Sequence, residues 1–292
     1  MSLHPQFARP RKLEQAISLL HNLSAGTVLI AGGQELMPHV NYGRLMPSVF
    51  VEIGGLPELQ GIRQEEGRLS IGALCSHRTL QRDPVIAAHL PLLARAAAQV
   101  GGGWQVHNRG TVGGNIVSMH PLYDIVPPLI ALGAEVEIAG AAGVRSLSLG
   151  ALVHDTTHGL GSSTVLTRVR VSPQAAGAGW SYQKLKATDG SYGSANAAAV
   201  VALDAVGRIE TVQVVIGAVS ERPIDASEAL VRLLAGHVFD APAAMQAERV
   251  CSSLVTQPLA DQQGGAEYRV AMAGVVVRRA IEVACRMAAG KE

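Results

Sequence analysis

Two short segments carry residue types suited to holding an anion. Ala31-Gly32-Gly33-Gln34-Glu35 directly follows the apolar run Thr27 to Ile30. Two adjacent glycines leave consecutive backbone N–H groups unshielded, which makes a concave donor nest. A helical turn beginning there adds partial positive charge. The plainer reading of the same residues is a strand-to-helix turn that needs a positive φ. The second segment, Thr111-Val112-Gly113-Gly114-Asn115, closes a glycine-dense stretch that also holds Gly101, Gly102, Gly103 and Gly110. Its Thr and Asn side chains can bond phosphate or ribose oxygens, and its glycines let the main chain come close. No Gly-Lys-Ser/Thr follows and no G-x-G-x-x-G spacing occurs, so neither a Walker loop nor a Rossmann fingerprint is present. Two such segments in one chain point to one diphosphate held between two subdomains.

Other chemistry-bearing residues weigh less. His154 and His158 stand four apart with Asp155 between them, a spacing that can place two imidazoles on one helix face. No third ligand accompanies them, and Asp155-Thr156-Thr157-His158-Gly159 reads as a loop. Cys75 lies beside Ser76 and His77 without the pattern of an activated thiol, so burial is the simpler account. Arg109 reads as a loop anchor, and Gly101 to Gly103 as a hinge. The three cysteines, Cys75, Cys251 and Cys285, are far apart. They make no disulfide framework, metal quartet or iron–sulfur ligand run, and a reduced, cytoplasmic setting fits them.

The elements that position these residues divide into three units. Residues 1–55 read as helix (Leu13, Ala16, Ile17, Leu20), strand (Thr27 to Ala31), turn, helix and strand (Val49 to Ile53), a small α/β unit. Residues 56–175 hold strands near Ile62 and at Leu69 to Ile71, helices from Ser76 and Pro84, the glycine-dense stretch as a long loop, and a helix near Ile125 to Leu132. Strands at Ala134 to Ile138 and Val165 to Val171 follow. The composition shift Ser172 to Gly179 opens the last unit, 176–292. It has strands at Trp180 to Leu185 and Val212 to Ile216, the apolar run Ala195 to Leu203, and helices at 227–234, 241–254 and 266–288. The last helix carries the stripe Val270, Val277, Ile281, Ala284.

Composition closes off several classes. Apolar residues are 48% and charged residues 16%, ample to fold. Lys and Arg number 24 against 23 Asp and Glu, a balance unsuited to neutralising many phosphates, so nucleic acid is not expected. No run approaches the roughly 18 apolar residues of a membrane helix, and Met1 to Arg11 lacks a signal-peptide core.

The motifs VLIAGGQEL near residue 32 and RGTVGGNI near residue 112 resemble the flavin subunits of molybdenum-containing hydroxylases, a family that includes aerobic carbon monoxide dehydrogenase and xanthine dehydrogenase. The resemblance continues in Pro91-Leu92-Leu93, in Asp124, and in Pro258-Leu259-Ala260-Asp261 with Ala266-Glu267-Tyr268-Arg269. It therefore spans nearly the whole chain. It implies an α+β fold: a two-subdomain FAD-binding fold of the vanillyl-alcohol-oxidase type, then a C-terminal domain of sheet packed with helices.

Carried over by position, Ala31, Gly32, Gly33, Gln34, Glu35 and Leu36 would hold the diphosphate, with Val28, Leu29 and Ile30 along the same edge. Thr111, Gly113, Gly114 and Asn115 would form the second diphosphate loop. Asp124 matches a carboxylate near the ribose and adenosine side, and Leu166 would flank the adenine or the ring system. Lys184 matches a lysine near the isoalloxazine, where a cation favours reduced flavin. The chain departs from the family at Glu35, where many relatives have Ser, at Trp104 and His107, and most at Ala187 to Gly193, where the usual arginine is missing. That segment should face the flavin ring, and Tyr192 in it would stack on the flavin or cap a turn.

The resemblance implies a FAD-dependent oxidoreductase subunit. It would pass electrons from [2Fe–2S] clusters on a small partner to an external acceptor, while a large molybdopterin partner oxidises the substrate, in a dimer of heterotrimers. The alternatives are a stand-alone flavin oxidase of the same fold and a flavin-free scaffold subunit.

Overall fold

A computed structural model describes residues 5–22, 26–155, 160–161 and 163–291. The chain runs β1 (Gln6–Ala8), α1 (Leu13–Asn22), β2 (Thr27–Ile30), α2 (Leu36–Asn41), β3 (Val49–Glu52), a 3-10 turn (Pro57–Leu59), β4 (Ile62–Glu65) and β5 (Arg68–Gly72). Then come α3 (His77–Arg82), α4 (Pro84–His89), α5 (Pro91–Ala98), α6 (Gly103–Arg109), α7 (Val112–Ser118) and α8 (Val126–Ala131). They are followed by β6 (Glu135–Gly140), β7 (Gly143–Ser148), α9 (Leu149–His154) and β8 (Thr164–Val171). The last third is β9 (Gly179–Lys186), β10 (Gly193–Leu203), β11 (Ile209–Gly217), β12 (Ile224–Asp225), α10 (Ser227–Leu234), α11 (Ala241–Ser253) and α12 (Ala266–Ala288).

These strands form three sheets: β1-β3-β2, β4-β5-β8-β6-β7 and β12-β11-β10-β9. The first is parallel throughout, as the β2–α2–β3 crossover requires. The other two are antiparallel. Ala16 and Leu20 of α1 pack on Val51 and Ile53. In the second unit, Leu69, Ile71, Val136, Val169 and Val171 share a core with Leu80, Leu93, Val112, Ile116 and Leu129 of the covering helices. In the third, Ala197, Ala199 and Val201 of β10 pack towards Val276, Val277 and Ile281 of α12. Ala198 on the opposite face packs with Leu92, Ala96 and Ala131 of the preceding unit. A strand covered on both faces has no polar side to alternate with, which accounts for the unbroken apolar run from Ala197 to Val201. The linker is tied down: Gln174 takes the Leu92 N–H at 3.0 Å, and its own N–H donates to the His89 carbonyl at 2.9 Å.

Two expectations are corrected. The stretch 101–115 is not one long loop but the helices α6 and α7, broken at Gly110-Thr111. His154 ends helix α9; His158 and the rest of the expected loop after Asp155 lie outside the described residues. Strands β1, β7 and β12 were not anticipated. They are short or solvent-facing edge strands whose side chains carry no apolar alternation, most plainly β7, nearly all of it exposed.

Candidate functional site

The three units meet around a cleft of about 720 Å³, within the roughly 300–1,000 Å³ range of small-molecule and cofactor sites. Its first wall is the β2–α2 connection. Gly33 has φ +72°, the conformation that favours glycine. Gly32 is needed for a different reason: a Cβ there would sit 1.8 Å from the Arg109 carbonyl oxygen. The first glycine pair thus packs directly on the α6–α7 break, joining the two motifs in space. The N–H groups of Gly32, Gly33, Gln34 and Glu35 have no acceptor among the described residues, and all four residues line the cleft. Four consecutive unpaired donors on a cleft wall can be satisfied together by one anion.

The second glycine segment works otherwise, and the expectation of a second donor nest is corrected. Thr111 caps α7, its Oγ1 accepting the Gly114 N–H at 3.0 Å. Val112 N–H donates to Cys75 O and Gly113 N–H to Ala73 O, both at 2.9 Å. Those donors are committed to the fold. Gly113 is small because Ala73 lies against it: its Cβ would fall 2.7 Å from the Ala73 side chain. What this segment offers a ligand is a bare wall, with Thr111, Gly113, Gly114 and Asn115 all on the cleft. Asn115 is buried and its Oδ1 has no partner, so the side-chain amide is the polar group presented there.

Asp124 lies on the cleft wall but is 2% exposed. Its Oδ1 accepts from Tyr182 Oη at 2.7 Å and its Oδ2 from Lys184 Nζ at 2.8 Å. Lys184 also donates to Gln99 O at 3.0 Å. Burial pushes the Asp124 carboxyl pKa up, and Lys184 partly opposes this. The sequence expectation put these two residues at different parts of an extended cofactor, Asp124 near the ribose and Lys184 near the ring system. The structure corrects that: they form one buried ion pair, and the Lys184 side chain, 0% exposed, is behind the wall rather than on it. Lys186 pairs with Asp189 at 2.8 Å.

The remaining expected residues divide. Val28, Leu29, Ala31, Leu36 and Leu166 line the cleft, whereas Ile30 does not. Tyr192 lines it from the C-terminal domain, with Gly190 and Ser191. Its ring stacks on His120 at 5.5 Å between centroids, and His120 stacks on Tyr123 at 4.7 Å.

Among the cleft residues that the sequence reading missed are three polar ones. Tyr123 donates its hydroxyl to Glu35 Oε2 at 2.7 Å. Gln263 reaches the cleft from the loop before α12. His77 is buried with Nδ1 unpartnered; burial, then His107, lowers its pKa to about 4, leaving a neutral ring. No local pattern marks His77 or Gln263. Nor does any mark Tyr123, whose partner Glu35 lies 88 residues away.

Residues 3–174 match the family described as "FAD binding domain in molybdopterin dehydrogenase", and residues 180–284 match "CO dehydrogenase flavoprotein C-terminal domain". The chain belongs to the FAD-binding subunits of the molybdopterin dehydrogenases. It is 32% identical over 280 residues to the carbon monoxide dehydrogenase medium chain of Hydrogenophaga pseudoflava, covering 96% of both chains. A solved carbon monoxide dehydrogenase from that organism superposes with TM-score 0.92 at 32% identity, over 98% of this chain and 99% of that one. Quinoline 2-oxidoreductase from Pseudomonas putida 86 superposes with TM-score 0.89 at 29% identity, over 99% of each chain.

The protein is therefore a FAD-dependent oxidoreductase subunit with the α+β fold of this family. The cleft fits the flavin dinucleotide. Four unpaired N–H groups suit a diphosphate, the orphaned Asn115 amide suits a polar edge, and Val28, Leu29 and Leu166 supply apolar wall for ring systems. The cysteines do not suit a cluster. Burial pushes Cys251 up to about 12 and Cys285 to about 11 and raises Cys75, so all three are thiols at neutral pH. No group of three or more metal-ligating side chains occurs among the described residues, and no described helix is long and apolar enough to cross a membrane.

Proposed function

We propose that this chain is the electron-transfer subunit of a cytoplasmic molybdenum-containing hydroxylase, placed between the [2Fe–2S] clusters of a small partner and an external acceptor. A large molybdopterin partner would oxidise the substrate, in a dimer of heterotrimers. The observation that carries the reading is the run of unpaired N–H groups from Gly32 to Glu35 facing the cleft. Bound FAD supplies the ability to accept electrons and pass them on. The chain's own residues bind, orient and shield. Gly32, Gly33, Gln34 and Glu35 would hold the diphosphate through backbone N–H groups, with Ala31 and Leu36 flanking them. Thr111, Gly113, Gly114 and Asn115 would close the opposite wall. Val28, Leu29 and Leu166 would pack against ring faces, with Ile30 supporting that edge from behind, and Tyr192 would screen the ring. Asp124 would meet the cofactor as a carboxylate whose charge Lys184 has already balanced.

The test is the purified chain, free of molybdenum and iron. It should bind one FAD, accept electrons from an artificial reductant, and oxidise neither aldehydes nor N-heterocycles. When supplied with a cluster-bearing small subunit and a molybdopterin subunit it should co-purify with both. Turnover of such a substrate by the single chain would instead establish a stand-alone oxidase, and a colourless preparation unable to take up FAD would establish a scaffold.

A further inference from the structure

Glu35 is an awkward residue for an anion site. It occupies the N-cap of α2, yet its side chain makes no capping bond. A side-chain oxygen at that position ordinarily turns back onto the first free N–H groups of the helix. Around Glu35 the unpaired donors are those of the nest and the adjoining Leu36 N–H. A carboxylate folded onto them would fill the place of an anionic ligand and repel it as well. In the structure the carboxylate is turned away, because Oε2 takes the Tyr123 hydroxyl at 2.7 Å.

Tyr123 is well placed to hold it. Its backbone is fixed by Asp124, the next residue, which is locked by Tyr182 and Lys184. Its ring is stacked on His120 at 4.7 Å, with Tyr192 at 6.1 Å. Burial and the neighbouring Glu35 raise the phenol pKa, so the hydroxyl stays protonated and remains a donor. Glu35 comes from the first unit and Tyr123 from the second, so the bond also spans the cleft's two α/β walls.

We propose that Tyr123 is a positioning residue for the anion nest: its hydroxyl holds the Glu35 carboxylate off the free N–H groups of Gly32 to Glu35, leaving them open to a diphosphate. The inference rests on the cleft being the FAD site. Without the hydroxyl, the carboxylate becomes an intramolecular competitor for the donors and a like charge beside the ligand.

The experiment is a double-mutant cycle on FAD affinity in the full-length chain, read by flavin fluorescence, with circular dichroism confirming that each variant is folded. Tyr123→Phe should weaken FAD about tenfold or more, since a single like charge at contact distance in a partly buried site exceeds that factor. The loss should shrink at high salt. Glu35→Gln should bind FAD at least as tightly as the wild type. In the Glu35→Gln background, Tyr123→Phe should change affinity by less than about threefold, because the charge it restrained is gone. An equal loss in both backgrounds would show that Tyr123 touches the cofactor itself and would overturn the inference; so would no loss in either. Failure of the underlying site assignment is separately visible: the wild-type chain would not bind FAD, or Gly33→Val would leave its affinity unchanged.

Discussion

Removing the Lys184 ammonium tests how the floor of the site is built. Lys184→Met keeps the length and apolar stem of the side chain and deletes only the charge. It strands a carboxylate that is 2% exposed and left with one donor, Tyr182. Breaking a buried ion pair by deleting one partner costs about 3–5 kcal/mol. At roughly 2–4 °C per kcal/mol for a chain of a few hundred residues, the thermal midpoint should fall by roughly 6–20 °C. Asp124 can escape part of that cost by taking up a proton, which fixes the pH dependence. Its folded pKa is already raised by burial, and losing Lys184 raises it further. A group whose folded pKa lies above the unfolded value near 4 makes stability fall as pH rises between the two. The deficit of Lys184→Met against wild type should therefore be largest at neutral pH and shrink as pH falls towards the ordinary carboxylate range. Adding Asp124→Asn should recover most of the loss, because an amide can still accept from Tyr182 without a charge to compensate. Thermal melts of the wild type, Lys184→Met and the double variant from pH 5 to 8 decide the matter. An undiminished midpoint in Lys184→Met, or a deficit that does not change with pH, would mean that the pair does not carry the charge balance described here. If instead the variant keeps its stability and only the flavin potential becomes more negative, the lysine acts on the ring, as the family resemblance implied.

Other substitutions separate the two glycine walls. Gly33→Val places a β-branched residue at φ +72°, which costs at least about 1–3 kcal/mol of backbone strain, and should yield protein that no longer retains FAD, read by the flavin absorbance of the purified chain. Asn115→Leu removes an amide whose oxygen has no partner; thermal stability should hold or rise, while FAD affinity drops by the worth of one buried hydrogen bond, about 1–3 kcal/mol or roughly five- to hundredfold, measured by titration. Arg269→Met deletes a fully buried guanidinium and should cost about 3–5 kcal/mol in a denaturant melt, with Arg269→Lys recovering only part of it because an ammonium cannot repeat the planar fork.

How much of this was legible in the sequence depends on whether the deciding contacts are local. Helix α12 was readable to its ends because its stripe of Val270, Val277, Ile281 and Ala284 repeats without interruption. The first glycine pair was readable as a run of unshielded donors because those donors lie consecutively in the chain. The second was misread for a physical reason. Glycines in a row indicate a loop on propensity, but Gly113 is held in α7 by the Ala73 carbonyl and by the lack of room for any side chain. Tertiary packing overrides propensity there, and the N–H groups go to the fold. Asp124 and Lys184 were both found by position, yet 60 residues separate them and nothing in either neighbourhood states that they are partners. The Tyr123–Glu35 bond crosses 88 residues and was invisible for the same reason.

The motif Asp261 with Arg269 shows how a pattern can be recognisable while its purpose is not. Arg269 is the largest fully buried side chain and lies well behind the cleft, so its charge does not act on a ligand directly. Its guanidinium donates to Ser194 O at 2.8 Å and Gly264 O at 3.2 Å, and also to the Ala218 carbonyl and the Asp261 carboxylate. Asp261 in turn accepts the Gln263 N–H at 2.7 Å. Ser194 is the second residue of β10, two after Tyr192, and Gln263 is the loop's cleft residue, so a single buried fork fixes both places where the C-terminal domain touches the site. Arginine suits that task because its five donors are rigid and coplanar, and burial is tolerable only because the acceptors arrive together. A charge that would look functional by its type is here a strut. Among the polar groups that the fold leaves unpaired around the cleft are the donors of Gly32 to Glu35 and the amide of Asn115.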